Sequence, residues 1–131
     1  MALAKSLTNL YNINVRSQQD FYEKNPDFKR QVSFKDGKEV KYGTKGSSRV
    51  DAYKDGLAVE IKNYDLSKKQ NRYNLVRTLL RQYEKRLVNL PKGTKQIAEI
   101  DISGQNVPLA IQEEIVEKLK DKYYKVRFNQ E

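Results

Sequence analysis

Residues 49–62, RVDAYKDGLAVEIK, decide the predicted fold. The Asp55-Gly56 pair at their centre is typical of a two-residue hairpin turn, in which both central residues take positive φ. Counting outward from this turn places Asp51 opposite Glu60, and successive side chains along each strand point to opposite faces. The predicted apolar face consists of Val50, Ala52, Leu57, Val59 and Ile61. The predicted polar face consists of Arg49, Asp51, Tyr53, Ala58, Glu60 and Lys62.

The polar face predicts a metal site. Asp51 and Glu60 would lie directly opposite each other with Cβ atoms ~4.5–5.5 Å apart, where like charges destabilise a sheet. A divalent cation would offset that repulsion, because hard cations take carboxylate and carbonyl oxygens as ligands, and the Ile61 carbonyl is the third expected ligand. Such a metal activates water for attack on a phosphodiester, and Lys62 would orient the water or stabilise charge on the phosphate. The alternative is an ordinary solvated strand face.

The composition limits the available chemistry. The 131-residue chain contains no cysteine and no histidine. Disulfides, Cys/His zinc sites, Ser-His-Asp catalysis and a histidine-dependent ribonuclease are therefore excluded. The 26 Lys and Arg residues against 17 Asp and Glu give a formal charge of +9, which indicates a polyanionic partner such as nucleic acid.

The length fits one domain, assigned to residues 1–131. No apolar run is long enough to span a membrane, so we expect no membrane insertion. The first ten residues are too polar for a signal peptide. Helices are predicted over 17–25, 67–89 and 111–122, with Ser17 and Ser67 as N-caps. Strands are predicted over 31–34, 39–42, 49–53, 57–62, 96–102 and 123–128. This order predicts a mixed α/β sheet with helices packed on it.

The chain contains Asp51, then eight intervening residues, and then Glu60-Ile61-Lys62. This pattern resembles the active-site motif of the PD-(D/E)XK nuclease superfamily. Val50 stands where that family often has a proline. The resemblance covers residues 15–105 and implies a restriction-endonuclease-like αβββαβ core, in which helices flank a mixed sheet with an antiparallel catalytic hairpin. It also implies a metal-dependent endonuclease that uses Mg²⁺ or another divalent cation, such as Mn²⁺ or Zn²⁺.

Two wider stretches, GSSRVD at 46–51 and AVEIKNYDLS at 58–67, resemble the C-terminal nuclease domains of bacterial polymorphic toxins, including contact-dependent inhibition toxins. Leu90-Pro91 and the segment IDISGQ at 100–105 agree with this. The resemblance implies delivery as the C-terminal part of a secreted effector, action in the cytoplasm of a target bacterium, and a cognate immunity protein. Nucleases that resemble this fold cut DNA or transfer RNA. We expect DNA, with transfer RNA as the alternative.

The same superfamily implies roles for residues on the flanking helices. It often places a carboxylate on the first helix as a metal ligand, and Glu23 lies there. It often places a glutamine on the helix after the Glu-X-Lys, and Gln82 lies there as an added catalytic candidate. A solvated helix residue is the alternative for each.

Basic residues beside the proposed site predict a nucleic-acid interface. The candidates are Lys45, Ser48 and Arg49 in and beside the loop 43–48, and Arg77, Arg81 and Lys85 on the helix 67–89. The last three recur every four residues, so they share a face that could follow a phosphate backbone; a solvated face is the alternative. The apolar stripe of that helix, interpreted as core, consists of Leu75, Val76, Leu79, Leu80, Tyr83 and Leu87.

Three competing interpretations remain open. Glu99 and Asp101 form a rival carboxylate pair on a predicted strand, ranked lower because no lysine accompanies them. A non-catalytic basic module would bind nucleic acid in a salt-dependent way, with or without metal. A module for a membrane surface or an acidic partner needs an exposed amphipathic basic helix, and the apolar stripe of residues 75–87 argues against one.

Overall fold

The computed structural model describes residues 15–130, and within them the chain forms three helices and six strands. In chain order these are α1 (residues 15–24), β1 (Lys29–Lys35), β2 (Lys38–Val40), β3 (Ser48–Lys54), β4 (Leu57–Lys62), α2 (Lys69–Asn89), β5 (Lys95–Asp101), α3 (Leu109–Leu119) and β6 (Lys125–Asn129). Residues 1–14, for which we expected no signal peptide, lie outside the described part. No helix within residues 15–130 is long and apolar enough to cross a bilayer.

All six strands form one mixed sheet in the order β2-β1-β3-β4-β5-β6. The pairs β1–β2, β1–β3 and β3–β4 are antiparallel, whereas β4–β5 and β5–β6 are parallel. Parallel neighbours need a crossover connection, and α2 and α3 provide the two crossovers. The predicted mixed α/β sheet with helices packed on it is confirmed at this level.

The core consists of three apolar clusters. The largest joins α2, α3 and β5 and includes Leu66, Leu75, Leu79, Ala98, Ile100, Ile102, Ile115 and Leu119. The second packs α1 on the sheet through Phe21, Tyr22, Ala52, Val59, Ile61 and Ile97. The third lies at the end of α2 and contains Val32, Phe34, Val50, Ala58 and Leu90. The sheet is therefore covered by helices on both faces.

The predicted apolar face of the hairpin is wrong at Val50. Val50 belongs to one cluster with Ala58, whereas Ala52 belongs to another with Val59. Residues two apart on a regular strand share a face. The side chains of β3 therefore change face at the intervening residue, Asp51.

Both predicted N-caps are wrong. Ser17 lies inside α1, where it is buried and its hydroxyl donates to Asp101 Oδ2 at 2.5 Å. Ser67 precedes the cap residue of α2, and its hydroxyl donates to Asp65 Oδ1 at 2.6 Å. The predicted helix ends are confirmed: α1 stops before Asn25-Pro26, and α2 stops before Pro91.

The buried side of α2 differs from the prediction at its last turn. Leu75 and Leu79 are fully buried as predicted, but Leu87 is 54% exposed. Arg86 takes the buried position instead and is only 6% exposed. A buried arginine needs a counter-charge, and the Glu60 carboxylate provides it.

Candidate active site

The hairpin turn forms at the predicted place. Asp55 and Gly56 have φ values of 45° and 80°, as a two-residue turn requires. The ladder of β3 and β4 has the predicted register but ends with the pair of Ala52 and Val59. The direct pairing of Asp51 with Glu60 is therefore wrong. The Asp51 carboxylate instead accepts a hydrogen bond from the Ile61 backbone N–H, at 2.7 Å from Oδ2.

A distortion of β1 accompanies the end of this ladder. The pairs of β1 and β3 on either side of Asp51 are present, but the position opposite Asp51 is Gln31, whose φ is 53°. A non-glycine residue with positive φ inside a strand is strained, and such strain clusters at functional sites. The backbone is therefore locally displaced where β1 passes Asp51.

Tyr22 of α1 contacts both strands at this distortion. Its hydroxyl donates to the Asp51 carbonyl at 2.7 Å and accepts from Gln31 Nε2 at 3.3 Å. Burial raises the pKa of Tyr22 above its ordinary value of 10.0, so the hydroxyl remains a donor at neutral pH. The carboxylate of Asp51 is thus held by the backbone of β4, and its carbonyl is held by a side chain of α1.

Glu60 is buried and paired with two cations. Its Oε1 lies 3.1 Å from Lys62 Nζ, and its Oε2 lies 2.8 Å from Arg86 Nη2. Arg86 Nη2 also donates to the Arg49 carbonyl at 2.8 Å. The side chains of Glu60 and Arg86 are only 8% and 7% exposed, so this charge cluster is shielded from solvent.

Asp51 has a strongly perturbed pKa. Burial is the main cause, and the nearby Glu60 charge is the second; together they raise the pKa of Asp51 from 3.8 to about 7. The Ile61 amide, Lys62 and Arg86 oppose the shift. A partly buried carboxylate held close to the buried Glu60 is the arrangement that a bound cation would stabilise.

One polar cavity of about 260 Å³ joins these groups. We call it the site cavity, and it is lined by Ser17, Gln18, Asp51, Glu60, Ile61, Lys62, Asn63 and Tyr64. Because the N–H and C=O of one strand residue point to the same side, the Ile61 carbonyl faces the side on which Asp51 binds its amide. A larger cavity of about 470 Å³ lies beside the β1–β2 turn and the α2–β5 loop, and neither Asp51 nor Glu60 lines it.

The two helix candidates do not line the site cavity. Glu23 is exposed, and its carboxylate accepts a long hydrogen bond of 3.4 Å from Gln19. Gln82 lies one turn before Arg86 on α2, and its Oε1 is buried without a hydrogen bond from any described residue. The structure thus brings Asp51, Glu60, Ile61 and Lys62 together but leaves Glu23 outside.

The basic candidates divide into exposed and buried residues. Lys45, Arg77, Arg81 and Lys85 are exposed. Arg49 is also exposed, and its guanidinium lies 4.6 Å from the ring centroid of Tyr42. Ser48 is buried and its hydroxyl accepts from Asn89 Nδ2 at 2.9 Å. Ser48 therefore holds the loop to α2 and is not placed to contact a phosphate.

Asp101, one member of the rival pair, has a structural role. Asp101 accepts hydrogen bonds from the hydroxyls of Ser17 and Ser103, both at 2.5 Å. Ser17 accepts in turn from Asn63 Nδ2 at 2.8 Å. Asp101 therefore fixes α1 against the end of β5 and orients one wall of the site cavity.

Sequence reasoning missed Arg86, Tyr22 and Gln31. Arg86 could have been found, because it follows Leu79 by two helical turns and so continues the buried side of α2. Tyr22 and Gln31 gave no such signal, since their roles depend on packing between α1 and β1.

No family model, no curated protein and no solved structure was found to match this chain.

Proposed function

We propose that this chain is a divalent-metal-dependent nuclease that hydrolyses phosphodiester bonds. One observation carries the proposal: Asp51, Glu60 and Lys62 line a single polar cavity together with Ile61. The two carboxylates are close enough for Glu60 to raise the pKa of Asp51. A purely structural ion pair would not need a second, partly buried carboxylate beside it.

The donor set fits a hard cation. Asp51, Glu60 and the Ile61 carbonyl offer oxygen ligands, and Mg²⁺ commonly binds through one or two carboxylates, several waters and substrate phosphates. Among residues 15–130 no cluster of three or more Asp, Glu, His or Cys side chains forms a potential metal site, so water and substrate would complete the coordination. When bound, such an ion lowers the pKa of a water and polarises the phosphoryl oxygens.

Lys62 supplies the remaining chemistry from the chain itself. Its ammonium lies 3.1 Å from Glu60 Oε1, and its side chain is 15% exposed and lines the site cavity. When Glu60 binds the metal ion, the three N–H donors of Lys62 would be free to contact a phosphate oxygen or the attacking water. The hydrogen bond from Ile61 would hold the Asp51 carboxylate in place during the reaction.

The architecture supports a restriction-endonuclease-like core. Helix α1 is followed by four strands with antiparallel pairing, β1 to β4, of which β2 is a short edge strand, and then by α2 and the parallel strand β5. The Asp and the Glu-X-Lys lie on β3 and β4, as the resemblance implies. The same resemblance supports a toxin delivered by a secreted effector into a bacterial cytoplasm and neutralised by an immunity protein.

The charge supports a nucleic-acid substrate. The formal charge is +9, and the basic residues of α2 that we expected to follow a phosphate backbone are exposed. We propose DNA as the substrate, with transfer RNA as the alternative, because a metal-activated water attacks both backbones.

Cleavage assays test the proposal. Purified protein is incubated with plasmid DNA and, separately, with total transfer RNA, each in Mg²⁺ and in EDTA. We expect Mg²⁺-dependent cleavage of one substrate, and its loss in Lys62→Ala and Glu60→Gln. Lys118→Ala and Glu114→Gln are matched controls, because those residues form an exposed ion pair on α3. Binding without cleavage under every metal condition would favour the non-catalytic module.

A further inference from the structure

The buried arginine of α2, Arg86, contacts the proposed metal ligand Glu60 from outside the site cavity. Arg86 is 6% exposed and does not line the site cavity. It nevertheless contacts both strands of the catalytic hairpin, through Glu60 on β4 and the Arg49 carbonyl on β3. A single guanidinium therefore links the two strands at the point where their ladder has ended.

The two oxygens of Glu60 have different environments. Oε2 is buried, lies 2.8 Å from Arg86 Nη2 and receives no hydrogen bond from any residue of the described part. Oε1 lies against Lys62, which lines the site cavity. The charge of Arg86 is thus the main compensation for Oε2, whereas Oε1 is paired with Lys62, a residue that lines the site cavity.

We propose that Arg86 is a positioning residue that holds Glu60 Oε2 away from the site cavity and thereby presents Oε1 to a divalent cation. This inference rests on the proposed function. Groups that orient a metal-binding side chain typically change metal affinity 10–100-fold when they are removed. Arg86 also anchors β3 through Arg49, so it fixes the spacing between the strands that carry Asp51 and Glu60.

The substitution Arg86→Met removes the positive charge of the guanidinium group. Arg86→Lys keeps a positive charge on a shorter side chain. A lysine side chain ends one bond short of Nη2, so its ammonium cannot reproduce both the Glu60 and the Arg49 contacts. We expect metal affinity to fall at least about tenfold in Arg86→Met and by a smaller factor in Arg86→Lys. Leu119→Ala, in the distant core of α3, is the control for reduced stability alone.

The measurement is a Mn²⁺ titration of the 131-residue wild type and of each variant without nucleic acid, with free Mn²⁺ followed by electron paramagnetic resonance. Leu119→Ala should bind Mn²⁺ like the wild type. Wild-type affinity in a folded Arg86→Met protein, or tighter binding, would overturn the inference. If Arg86→Met does not fold, Arg86→Lys decides, and wild-type affinity in that variant would overturn it. A wild-type protein that binds no Mn²⁺ would instead contradict the proposed metal-dependent function itself.

Discussion

The Asp51 carboxylate accepts a hydrogen bond from the Ile61 backbone N–H at 2.7 Å, immediately beyond the last paired residues of β3 and β4. A side chain thus replaces a ladder hydrogen bond at the centre of the sheet. The bond holds the carboxyl group of Asp51 near Glu60, whose charge contributes to the raised pKa of Asp51. The stability of the protein should therefore depend on the protonation of Asp51.

The free energy of unfolding in EDTA should decrease as the pH rises from about 4 to about 7. The pKa of Asp51 is raised from 3.8 to about 7, so in this window the folded chain keeps a proton that the unfolded chain has released. The decrease amounts to at most about 1.4 kcal/mol for each pH unit, and it ends above the folded pKa. Urea unfolding at several pH values measures it.

Asp51→Asn should remove this part of the slope, whereas Asp27→Asn, an exposed carboxylate, should keep it. Burial also raises the pKa of Glu99, so a shallower slope of the same sign should remain in Asp51→Asn. Equal slopes in the wild type and Asp51→Asn would contradict the prediction.

Tyr22→Phe should lower both stability and cleavage rate. The substitution removes the donor of the Asp51 carbonyl and leaves a buried acceptor unsatisfied, at a cost of about 1–3 kcal/mol. We expect the rate constant for cleavage to fall more than substrate affinity, because Tyr22 contacts the backbone that carries Asp51. Thermal unfolding and single-turnover cleavage measure the two effects. Tyr73→Phe, on an exposed tyrosine of α2, is the control, and wild-type behaviour of Tyr22→Phe would refute the role.

Leu79→Ala and Leu87→Ala should differ sharply in stability. Leu79 is fully buried and Leu87 is 54% exposed. Truncating a buried leucine costs about 2–5 kcal/mol, whereas an exposed substitution usually changes stability by less than about 0.5 kcal/mol. Urea denaturation compares the variants. Similar decreases in both would mean that the last turn of α2 packs differently.

The exposed basic row of α2 should contribute to the salt dependence of nucleic-acid binding. Replacing Arg77, Arg81 and Lys85 by Gln should reduce the slope of log K against log salt by up to about 0.9 for each phosphate of duplex DNA that is no longer neutralised. Fluorescence anisotropy in EDTA measures the slope. The matched control replaces Lys118, Lys120 and Lys122 by Gln, which removes the same charge from the end of α3 and the turn after it. Equal slopes for the two triple variants would exclude a specific role for the row.

Local patterns predicted much of this fold. The alternation and the Asp-Gly pair gave the hairpin and its register, and Pro26 and Pro91 gave the ends of two helices. These features depend on neighbours in the sequence, so they can be recognised without the structure. The cluster of Asp51, Glu60 and Lys62 was found for the same reason.

The remaining features depend on contacts between distant segments. The change of face at Asp51 arises where Gln31 and Tyr22 approach it from β1 and α1. Arg86 is buried because Glu60 lies beneath it across the α2–β4 contact. No local sequence pattern reports such contacts. The sequence therefore predicted that Asp51 lies opposite Glu60, whereas in the structure the Asp51 carboxylate accepts a hydrogen bond from the Ile61 N–H.

The most direct test of the central claim is a crystal structure of catalytically active protein soaked in Mn²⁺, with the ion located by its anomalous scattering. We expect a Mn²⁺ ion in the site cavity, bound by the carboxylates of Asp51 and Glu60 and by the Ile61 carbonyl. An ion bound only elsewhere, such as at Glu99 and Asp101, would contradict the claim.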